Sequence, residues 1–439
     1  MRTRPNLKLT NQSEGGVRPG LVPFQAFFAV LGYAAFCTLF VLVALEVGSW
    51  IAWTGYHYYH SPLRHAGPNA QSLMNRRRGL KHIWSGEIDP PSDMASASPA
   101  YDPYPWAEEF WEEERSNARD VVYPYEPFRL WGGPRLHGQF TNIEETEFGR
   151  LRRTVNQSQP GCNHSVARKV WFFGGSTAWG QNTPDFATIP SYLSAKLNTQ
   201  PRDCFEVFNM GVPAYVSNQE VIYLMQLLKA GHRPEVVIFY DGINDTTVGA
   251  YSPALPATHF DYPEVKAKSE SKILNWPGLA RRSYLLRIVN RLRMRSQNRA
   301  QKGLTETQWH ARALATLDNY ESNMRLAQVM AKEYGFDARF FWQPILLYGN
   351  KPRTPFERII GENQGFEKAV QIVFSEAEKR LASPAKLVSL AHIFDSTTET
   401  IYTDCVHLGP RGNEMVATAI AVAVQSPPGE RPPVPAHSP

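Results

Sequence analysis

Apolar runs of strand length alternate with helical stretches between residues 169 and 425. Strands that are apolar on both faces must be covered on both faces, so this alternation predicts a parallel sheet between two layers of helices. With 439 residues, the chain is long enough for one such domain with a sizeable core and for additional segments. The predicted strands are residues 170–173, 205–209, 236–240, 338–342 and 387–394.

Several of the helical stretches carry start and stop signals. Ser217 is a predicted N-cap, Gly231 and Gly335 are predicted stops, and Pro410 suits a first helical turn. In a parallel sheet of this kind, ligands and reacting groups gather beyond the carboxyl ends of the strands. The predicted helices are residues 189–197, 217–230, 305–334 and 365–381, with a last helix that starts at residue 410.

Four of the predicted strands end in groups that suit acyl transfer. The first strand leads into "GGSTAWG" with Ser176, the second into "NMGVPAY" with Gly211, and the third into "YDGIND" with Asn244. The fifth is followed by "YTDCVHLGPRG", which holds Asp404 and His407 on one loop. A histidine can take the proton of a serine hydroxyl, and an aspartate can hold the imidazole in the required tautomer. Backbone N–H groups and an asparagine amide can donate hydrogen bonds to an oxyanion.

These four blocks, in this order, resemble the SGNH (GDSL-type) hydrolase superfamily, which is named for its Ser, Gly, Asn and His residues. By this resemblance Ser176 is the nucleophile, and Asp404 and His407 are the acid and base. The N–H groups of Ser176 and Gly211 and the side chain of Asn244 form the oxyanion hole. The resemblance covers roughly residues 165–425. It implies a flavodoxin-like three-layer αβα sandwich with a central parallel five-stranded sheet, and acyl-ester hydrolysis without a metal or an organic cofactor.

One position departs from the family pattern. The family's usual Asp before the nucleophile is Gly175 in this chain. That Asp is not a member of the triad, so its loss puts the local support of the loop in doubt more than catalysis.

Each of these residues also has a plainer interpretation when it is taken alone. Ser176 can cap a helix, Gly211 and Asn244 can be turn residues, and His407 can satisfy a neighbouring carbonyl. A phosphate-binding loop is disfavoured because the P-loop Lys and the G-x-G-x-x-G pattern are missing. A conventional α/β-hydrolase elbow would place the acid and the base on separate loops. The coincidence of all four blocks favours a nucleophilic serine.

The N-terminal part of the chain contains an uncharged apolar run, residues 27–45, which is long enough as a helix to cross a hydrocarbon core about 30 Å thick. An excess of basic residues before the run predicts a cytoplasmic N-terminus and an exported catalytic domain, periplasmic or extracellular. Glu46 ends the run where a carboxylate can reach the interface. A cleaved signal peptide, with residues 47–49 as its cleavage site, and a buried core helix are the alternatives. The basic residues are Arg2, Arg4, Lys8 and Arg18, and the aromatic residues expected at the interface are Trp50, Trp53, Tyr56, Tyr58 and Tyr59.

The composition of the remaining segments suggests a division of the chain. A basic segment rich in arginine interrupts the domain and is either an amphipathic helix on anionic lipid or acidic polymer, or a lid helix with a solvated face. We expect a cytoplasmic basic tail (1–21), a transmembrane anchor (22–53), a stalk and covering segment (54–164), the hydrolase domain (165–425) with the inserted basic segment (250–304), and a disordered tail (426–439).

Four cysteines fit an exported protein. Cys37 lies in the apolar run, and Cys405 is expected to stay unpaired. Cys162 and Cys204 each precede a predicted strand at the same end of neighbouring strands, so either a disulfide or two buried thiols are expected there.

The net charge and the motifs limit the classes of function that fit this chain. A net charge of +5 without a zinc-finger or RNP-type motif gives no support for nucleic-acid binding. The leading hypothesis is a membrane-anchored, exported serine esterase that removes acyl groups, such as acetyl, from a cell-envelope glycan or lipid. An O-acyltransferase with the same triad and a non-catalytic polysaccharide-binding component remain alternatives. The sequence leaves the oligomeric state open.

Overall fold

Seven strands of the computed structural model form one sheet, in the order β1-β2-β4-β3-β5-β6-β7. The structure describes residues 24–60, 94–121, 123–157, 162, 167–200, 204–251, 283–285, 288, 304–362, 366–381 and 387–426. The strands are Ile143–Thr146 (β1), Gly149–Arg152 (β2), Arg168–Gly174 (β3), Phe205–Asn209 (β4), Val236–Asp241 (β5), Asp337–Trp342 (β6) and Val388–Ser389 (β7).

The strands β3 to β7 are the five predicted parallel strands, and their spatial order is that of a flavodoxin-like sheet. The parallel five-stranded sheet and the α/β class are therefore confirmed. The hairpin of β1 and β2 was not predicted, and it adds to β4 in antiparallel orientation through the pair Arg152 and Asn209. The last predicted strand is much shorter than residues 387–394, because only Val388–Ser389 pairs with β6.

Alternate side chains of β3 explain why this strand is apolar throughout. Val170 and Phe172 belong to the core on one side of the sheet, whereas Trp171 and Phe173 belong to the core on the other side. All four side chains are fully buried. Successive residues of a strand point to opposite faces, so a central strand of a three-layer fold needs apolar residues at every position.

Helices in the described residues contribute to the cores on the two faces of this sheet. In chain order, the described helices are Phe24–His60 (α1), Ala107–Asp120 (α2), Ser176–Trp179 (α3), Ile189–Leu197 (α4), Ser217–Lys229 (α5), Ile243–Tyr251 (α6), Glu306–Tyr334 (α7), Pro355–Ile360 (α8), Glu367–Arg380 (α9) and Pro410–Gln425 (α10). Residues of α5, α7 and α9 pack on one face, and residues of α4, α8 and α10 pack on the other. The three-layer αβα arrangement is confirmed.

The ends of the helices agree with most of the predicted signals. Thr305 caps α7 and accepts a hydrogen bond from the backbone of Gln308, and Gly335 ends the helix in a left-handed conformation with φ of 77°. The cap of α5 differs from the prediction. Val216 is the N-cap residue, and Ser217 is the first helical residue, whose hydroxyl donates to Asp245.

The N-terminal helix α1 contains a stretch long and apolar enough to cross a membrane. This stretch, Gly32–Gly55, has 24 residues, a mean hydropathy of 2.0 and only 6% of its residues buried. A signal sequence would have the same composition and position. Within this stretch, Glu46 accepts hydrogen bonds from the hydroxyl of Ser283 (2.8 Å) and from the N–H groups of Tyr284 and Leu285. Of the predicted basic insert, the structure describes residues 250, 251, 283–285, 288 and 304. The rest of the insert lies outside the described residues.

The described part of the predicted covering segment, from residue 94 to residue 157, is more ordered than a stalk. Tyr101, Phe110, Trp111 and Phe140 form a small aromatic core of their own. An acidic helix spans Ala107–Asp120, and its Glu113 accepts hydrogen bonds from the backbone of residues 139–141. These hydrogen bonds join the helix to the residues that lead into β1, at the edge of the sheet. Residues 61–93 of the predicted stalk, the predicted N-terminal tail and residues 427–439 of the predicted C-terminal tail lie outside the described residues.

The structure joins Cys162 and Cys204 in a disulfide, with their Cα atoms 5.4 Å apart. Cys204 directly precedes β4, and its carbonyl accepts a hydrogen bond from the N–H of Arg168 at the start of β3. The bridge therefore lies at the amino ends of these strands. Cys405 is buried and does not form a disulfide within the described residues, as expected.

Candidate active site

Ser176 lies at the carboxyl end of β3, on the first residue of the one-turn helix α3. Gly175 is the N-cap of this turn, and Gly180 ends it with φ of 90°. A positive φ favours glycine, so the sequence "GGSTAWG" fits a strand that stops abruptly and turns. The hydroxyl of Ser176 is 2.8 Å from Nε2 of His407. Two residues that are 231 positions apart in the chain are thus within hydrogen-bond distance.

His407 is held from its other side by Asp404. Nδ1 of His407 is 2.7 Å from Oδ2 of Asp404. The second carboxylate oxygen, Oδ1, accepts hydrogen bonds from the backbone N–H groups of Val406 (2.8 Å) and His407 (2.7 Å). Both oxygens of Asp404 are therefore occupied, and these hydrogen bonds hold the carboxylate beside the imidazole.

The pKa of Asp404 lies below its ordinary value of 3.8. Burial alone would raise this pKa, but the charge and hydrogen bonds of His407 and the N–H of Val406 outweigh it. The side chain of Asp404 is 27% exposed and that of His407 13%. Asp404 is therefore ionised at neutral pH and able to stabilise a cationic imidazole.

The loop that carries Asp404 and His407 is closed on itself. The N–H and the hydroxyl of Thr403 both donate to the carbonyl of His407, at 2.9 and 3.2 Å. The N–H of Leu346, after β6, donates to the carbonyl of Cys405. The spacing of the Asp and the His in "YTDCVH" thus corresponds to a short turn that is closed by hydrogen bonds between Thr403 and His407.

Asn244 lies on the first turn of α6, directly after β5. Strand β5 pairs with β3, the strand that leads into Ser176. Its Nδ2 donates to the carbonyl of Tyr215 at 2.7 Å, so one hydrogen of the amide is used and the nitrogen carries a second. A Cβ atom on Gly175 would lie 2.1 Å from this Nδ2. The amide of Asn244 therefore lies directly beside the residue that precedes Ser176.

Gly211 has a role that its place in the motif did not predict. Its N–H donates to Oδ1 of Asn209 at 3.0 Å, and Nδ2 of Asn209 donates to the carbonyl of Trp179. A Cβ atom on Gly211 would lie 2.5 Å from the backbone nitrogen of Trp179. The glycine thus allows the turn after β4 to pack against the turn that carries Ser176.

Asn182 is a site residue that the sequence did not reveal. It lies in the turn "GQNTPD" after α3, and its Nδ2 is 3.1 Å from Oγ1 of Thr403 and 3.4 Å from Oδ2 of Asp404. Its φ of 69° is in the left-handed region, where asparagine is several-fold enriched. That preference was the only signal available, because one sequence does not show that this turn contacts residues 403 and 404.

A group of buried carboxylic acids lies behind Asn244. Glu220 and Asp241 are completely or almost completely buried, as is Asp245, and the hydroxyl of Tyr320 is 3.3 Å from Oδ2 of Asp241. Burial, followed by the charge of Asp245, raises the pKa of Asp241 to about 8. Burial and the two neighbouring aspartates also raise the pKa of Glu220 well above its ordinary value. Among the described residues, no group of three or more His, Cys, Asp or Glu side chains is arranged to hold a metal ion.

Comparisons with known proteins gave matches only among solved structures. No protein-family model matches the chain, and no curated protein matches it. A lipolytic protein of the G-D-S-L family from Veillonella parvula DSM 2008 is 11% identical, with a TM-score of 0.33, over 59% of this chain and 100% of that chain.

Two further solved structures have similar values. Axe2, an acetylxylan esterase from Geobacillus stearothermophilus, is 16% identical, with a TM-score of 0.31, over 59% of this chain and 95% of its own. LAE5, an alpha/beta hydrolase enzyme from the metagenome of Lake Arreo in Spain, is 14% identical, with a TM-score of 0.30, over 60% of this chain and 97% of its own. The solved structures that this chain is similar to thus include a member of the G-D-S-L group that its sequence motifs resemble.

Proposed function

We propose that this chain is a serine ester hydrolase that works through an acyl-serine intermediate. The observation that carries the proposal is the continuous hydrogen-bonded series from Ser176 through His407 to Asp404, with separations of 2.8 and 2.7 Å. A serine becomes a useful nucleophile only when a base can take its proton, and the distance of 2.8 Å from Ser176 Oγ to His407 Nε2 supports that role for His407. A serine that merely capped a helix would not need an imidazole that is itself held by an ionised carboxylate.

In the proposed reaction, Oγ of Ser176 attacks the ester carbonyl while Nε2 of His407 takes the hydroxyl proton. Asp404 holds the imidazole through Nδ1 and stabilises its cationic form without taking the proton itself. The tetrahedral intermediate collapses, His407 gives the proton to the leaving alkoxide oxygen, and the ester C–O bond breaks. Water then attacks the acyl-serine by the same route in reverse, which releases the acid and restores the serine.

The developing oxyanion needs donors beside Ser176. The N–H of Ser176, at the start of α3, and the second N–H of Asn244 are the donors that the geometry favours. Gly211 is a third candidate from the motif, but its N–H must then be shared with Oδ1 of Asn209. Removal of one such donor typically costs about 3 kcal/mol of transition-state stabilisation.

The finer features of the function are inferred from the N-terminal part of the chain. The apolar stretch Gly32–Gly55 follows a basic tail, which supports a single membrane span with the catalytic domain on the exported side. The disulfide between Cys162 and Cys204 is consistent with an oxidising compartment. A catalytic domain tethered there would meet acyl esters, such as acetyl esters, on envelope glycans or lipids.

The test is labelling and turnover of the full chain in detergent micelles. Wild-type protein should react with a fluorophosphonate probe and hydrolyse p-nitrophenyl acetate, and Ser176→Ala should do neither. Ser322→Ala, which changes a serine on α7 whose hydroxyl donates to the carbonyl of Asp318 on the same helix, is the matched control and should behave as wild type. Wild-type protein that neither labels nor hydrolyses the ester would remove the proposal. Mass spectrometry of acetylated glycan fragments then distinguishes release of acetate from transfer of the acyl group to a second glycan.

A further inference from the structure

The amide of Asn182 contacts two adjacent residues of the loop that carries the acid and the base. One contact is to the hydroxyl of Thr403 (3.1 Å), which itself donates to the carbonyl of His407 (3.2 Å). The other contact is to Oδ2 of Asp404 (3.4 Å), the same oxygen that faces Nδ1 of His407. Because an amide nitrogen carries two hydrogens, Asn182 can make both contacts at once. The side chain is almost completely buried, at 7% exposure.

The backbone around Asn182 is clamped by residues from the covering segment. The hydroxyl of Tyr101 donates to the carbonyl of Asn182. On either side, the guanidinium of Arg152 donates to the carbonyls of Gly180 (3.0 Å) and Thr183 (2.6 Å). Tyr101 is fully buried and Arg152 almost fully. The turn is therefore fixed from outside the parallel-sheet domain.

The guanidinium of Arg152 is itself held in place by neighbouring side chains. Its Nε is 2.9 Å from Oδ1 of Asp185, and it stacks on the ring of Trp179, with its centre 4.3 Å from the ring centroid. A planar guanidinium with several donors can hold several carbonyls and a carboxylate at fixed angles, which a lysine cannot do. A left-handed residue such as Asn182 persists only where its surroundings determine its conformation, and here they do.

From this arrangement we propose that Asn182 is a positioning residue for Asp404 and His407, and that Tyr101 and Arg152 make the covering segment part of the catalytic unit. The inference rests on the proposed function. Asn182 does not touch the reacting atoms; it acts through Asp404. Its amide donates a hydrogen bond to the negatively charged Oδ2 and keeps the carboxylate aligned with the imidazole. His407 is thereby held where it can take the proton of Ser176.

The experiment compares Asn182→Gly with wild type in the full chain. Glycine adopts the left-handed conformation without strain, so the turn is kept and only the amide is removed. We expect kcat per active site to fall about tenfold, as for loss of one hydrogen bond to a charged group, with KM unchanged because no substrate contact is lost. The number of active sites is counted by fluorophosphonate titration.

The pH profile separates positioning from a structural role. Without the amide, more negative charge remains on Asp404 beside the imidazole, so protonation of the base extends to higher pH. The acidic limb of kcat/KM should therefore move to higher pH in Asn182→Gly, and further in Asn182→Asp, which places a second carboxylate there. Tyr101→Phe should shift kcat and the limb in the same direction by a smaller amount.

Gln181→Ala is the matched control, because this exposed side chain belongs to the same turn. It should leave kcat and the pH profile unchanged. If Asn182→Gly lowers only the melting temperature or the number of active sites, with kcat per site and the acidic limb unchanged, the inference is wrong. If Ser176→Ala retains wild-type turnover, the proposed function itself fails, and the two failures are thereby distinguished.

Discussion

Gly175 and Asn244 are so close that a Cβ atom on the glycine would lie 2.1 Å from Nδ2 of the asparagine. The same amide nitrogen is fixed by its hydrogen bond to the carbonyl of Tyr215 at 2.7 Å. This contact gives a physical reason for the glycine where the related motif usually has an Asp. In this chain the space next to the serine is taken by the asparagine amide.

Gly175→Ala should therefore displace Asn244 and lower kcat by about tenfold, whereas Asn244→Ala should lower it by about a hundredfold through loss of the proposed oxyanion donor. The double variant tests the cause. When Asn244 is already alanine, the additional effect of Gly175→Ala should be small, because the two residues act through one contact. Fully additive losses in kcat would contradict this explanation. Stopped-flow hydrolysis of p-nitrophenyl acetate supplies the rates.

Asp404→Asn should lower kcat by about four orders of magnitude, because the neutral amide favours the wrong imidazole tautomer, as in serine proteases. The chain offers a matched control in His392 and Asp395, whose Nδ1 and Oδ2 are 2.8 Å apart. Asp395→Asn breaks a similar pair on a more exposed surface and should leave kcat unchanged. Equal losses in the two variants would argue against a special role of Asp404.

The buried acids behind Asn244 make stability depend on pH. In the folded chain Asp241 keeps its proton between its ordinary pKa of 3.8 and about 8, while the unfolded chain loses it. The folded state binds more protons in this range, so the free energy of unfolding falls as the pH rises from about 4 to about 8.

Asp241→Asn removes this titration and should raise the free energy of unfolding by at least about 1 kcal/mol at pH 8, with a smaller effect at pH 5. Asp318→Asn, at a side chain that is 66% exposed, is the control and should leave the pH dependence as in wild type. Chemical denaturation at several pH values measures both. A variant whose stability falls with pH as steeply as that of the wild type would rule out Asp241 as the source.

Arg152→Ala should lower the free energy of unfolding by about 3 kcal/mol or more, because it leaves the buried carboxylate of Asp185 without its cation and two carbonyls without their donor. The neighbouring Arg153 pairs with Glu144, but both side chains are about half exposed. Arg153→Ala should therefore cost less than about 1 kcal/mol. Similar losses for the two arginines, measured by urea denaturation, would show that the buried network is not a special source of stability.

The parallel strands could be predicted closely because burial on both faces leaves a continuous apolar run. The predicted range 236–240 differs by a single residue from the observed Val236–Asp241. The edge strand was overestimated at 387–394, because an apolar composition does not show where pairing ends. After Ser389 the chain turns, and Asp395 accepts hydrogen bonds from Asn350, so polar contacts replace the ladder.

The additional hairpin and the contacts of Asn182 could not be predicted for different reasons. Strand β1 has two exposed glutamates at its centre, Glu144 and Glu145, so its pattern is that of a solvated edge rather than of a core strand. Asn182 meets Asp404 across 222 positions of the chain, and its neighbours in sequence give no sign of that partner. The proximity of Ser176, Asp404 and His407 could be predicted because all three lie in recognisable motifs that follow predicted strands.

The disulfide lies at the amino edge of the sheet, whereas Ser176 and His407 lie at the carboxyl edge. The length of the strands therefore separates the disulfide from Ser176 and His407. We expect the oxidation state of the two cysteines to have no effect on turnover. A thiol added to a reaction mixture would lower the thermal stability of the chain without changing the contacts between Ser176 and His407. Rates measured at room temperature would consequently look the same in reduced and oxidised preparations, and only storage or heating would tell the two apart.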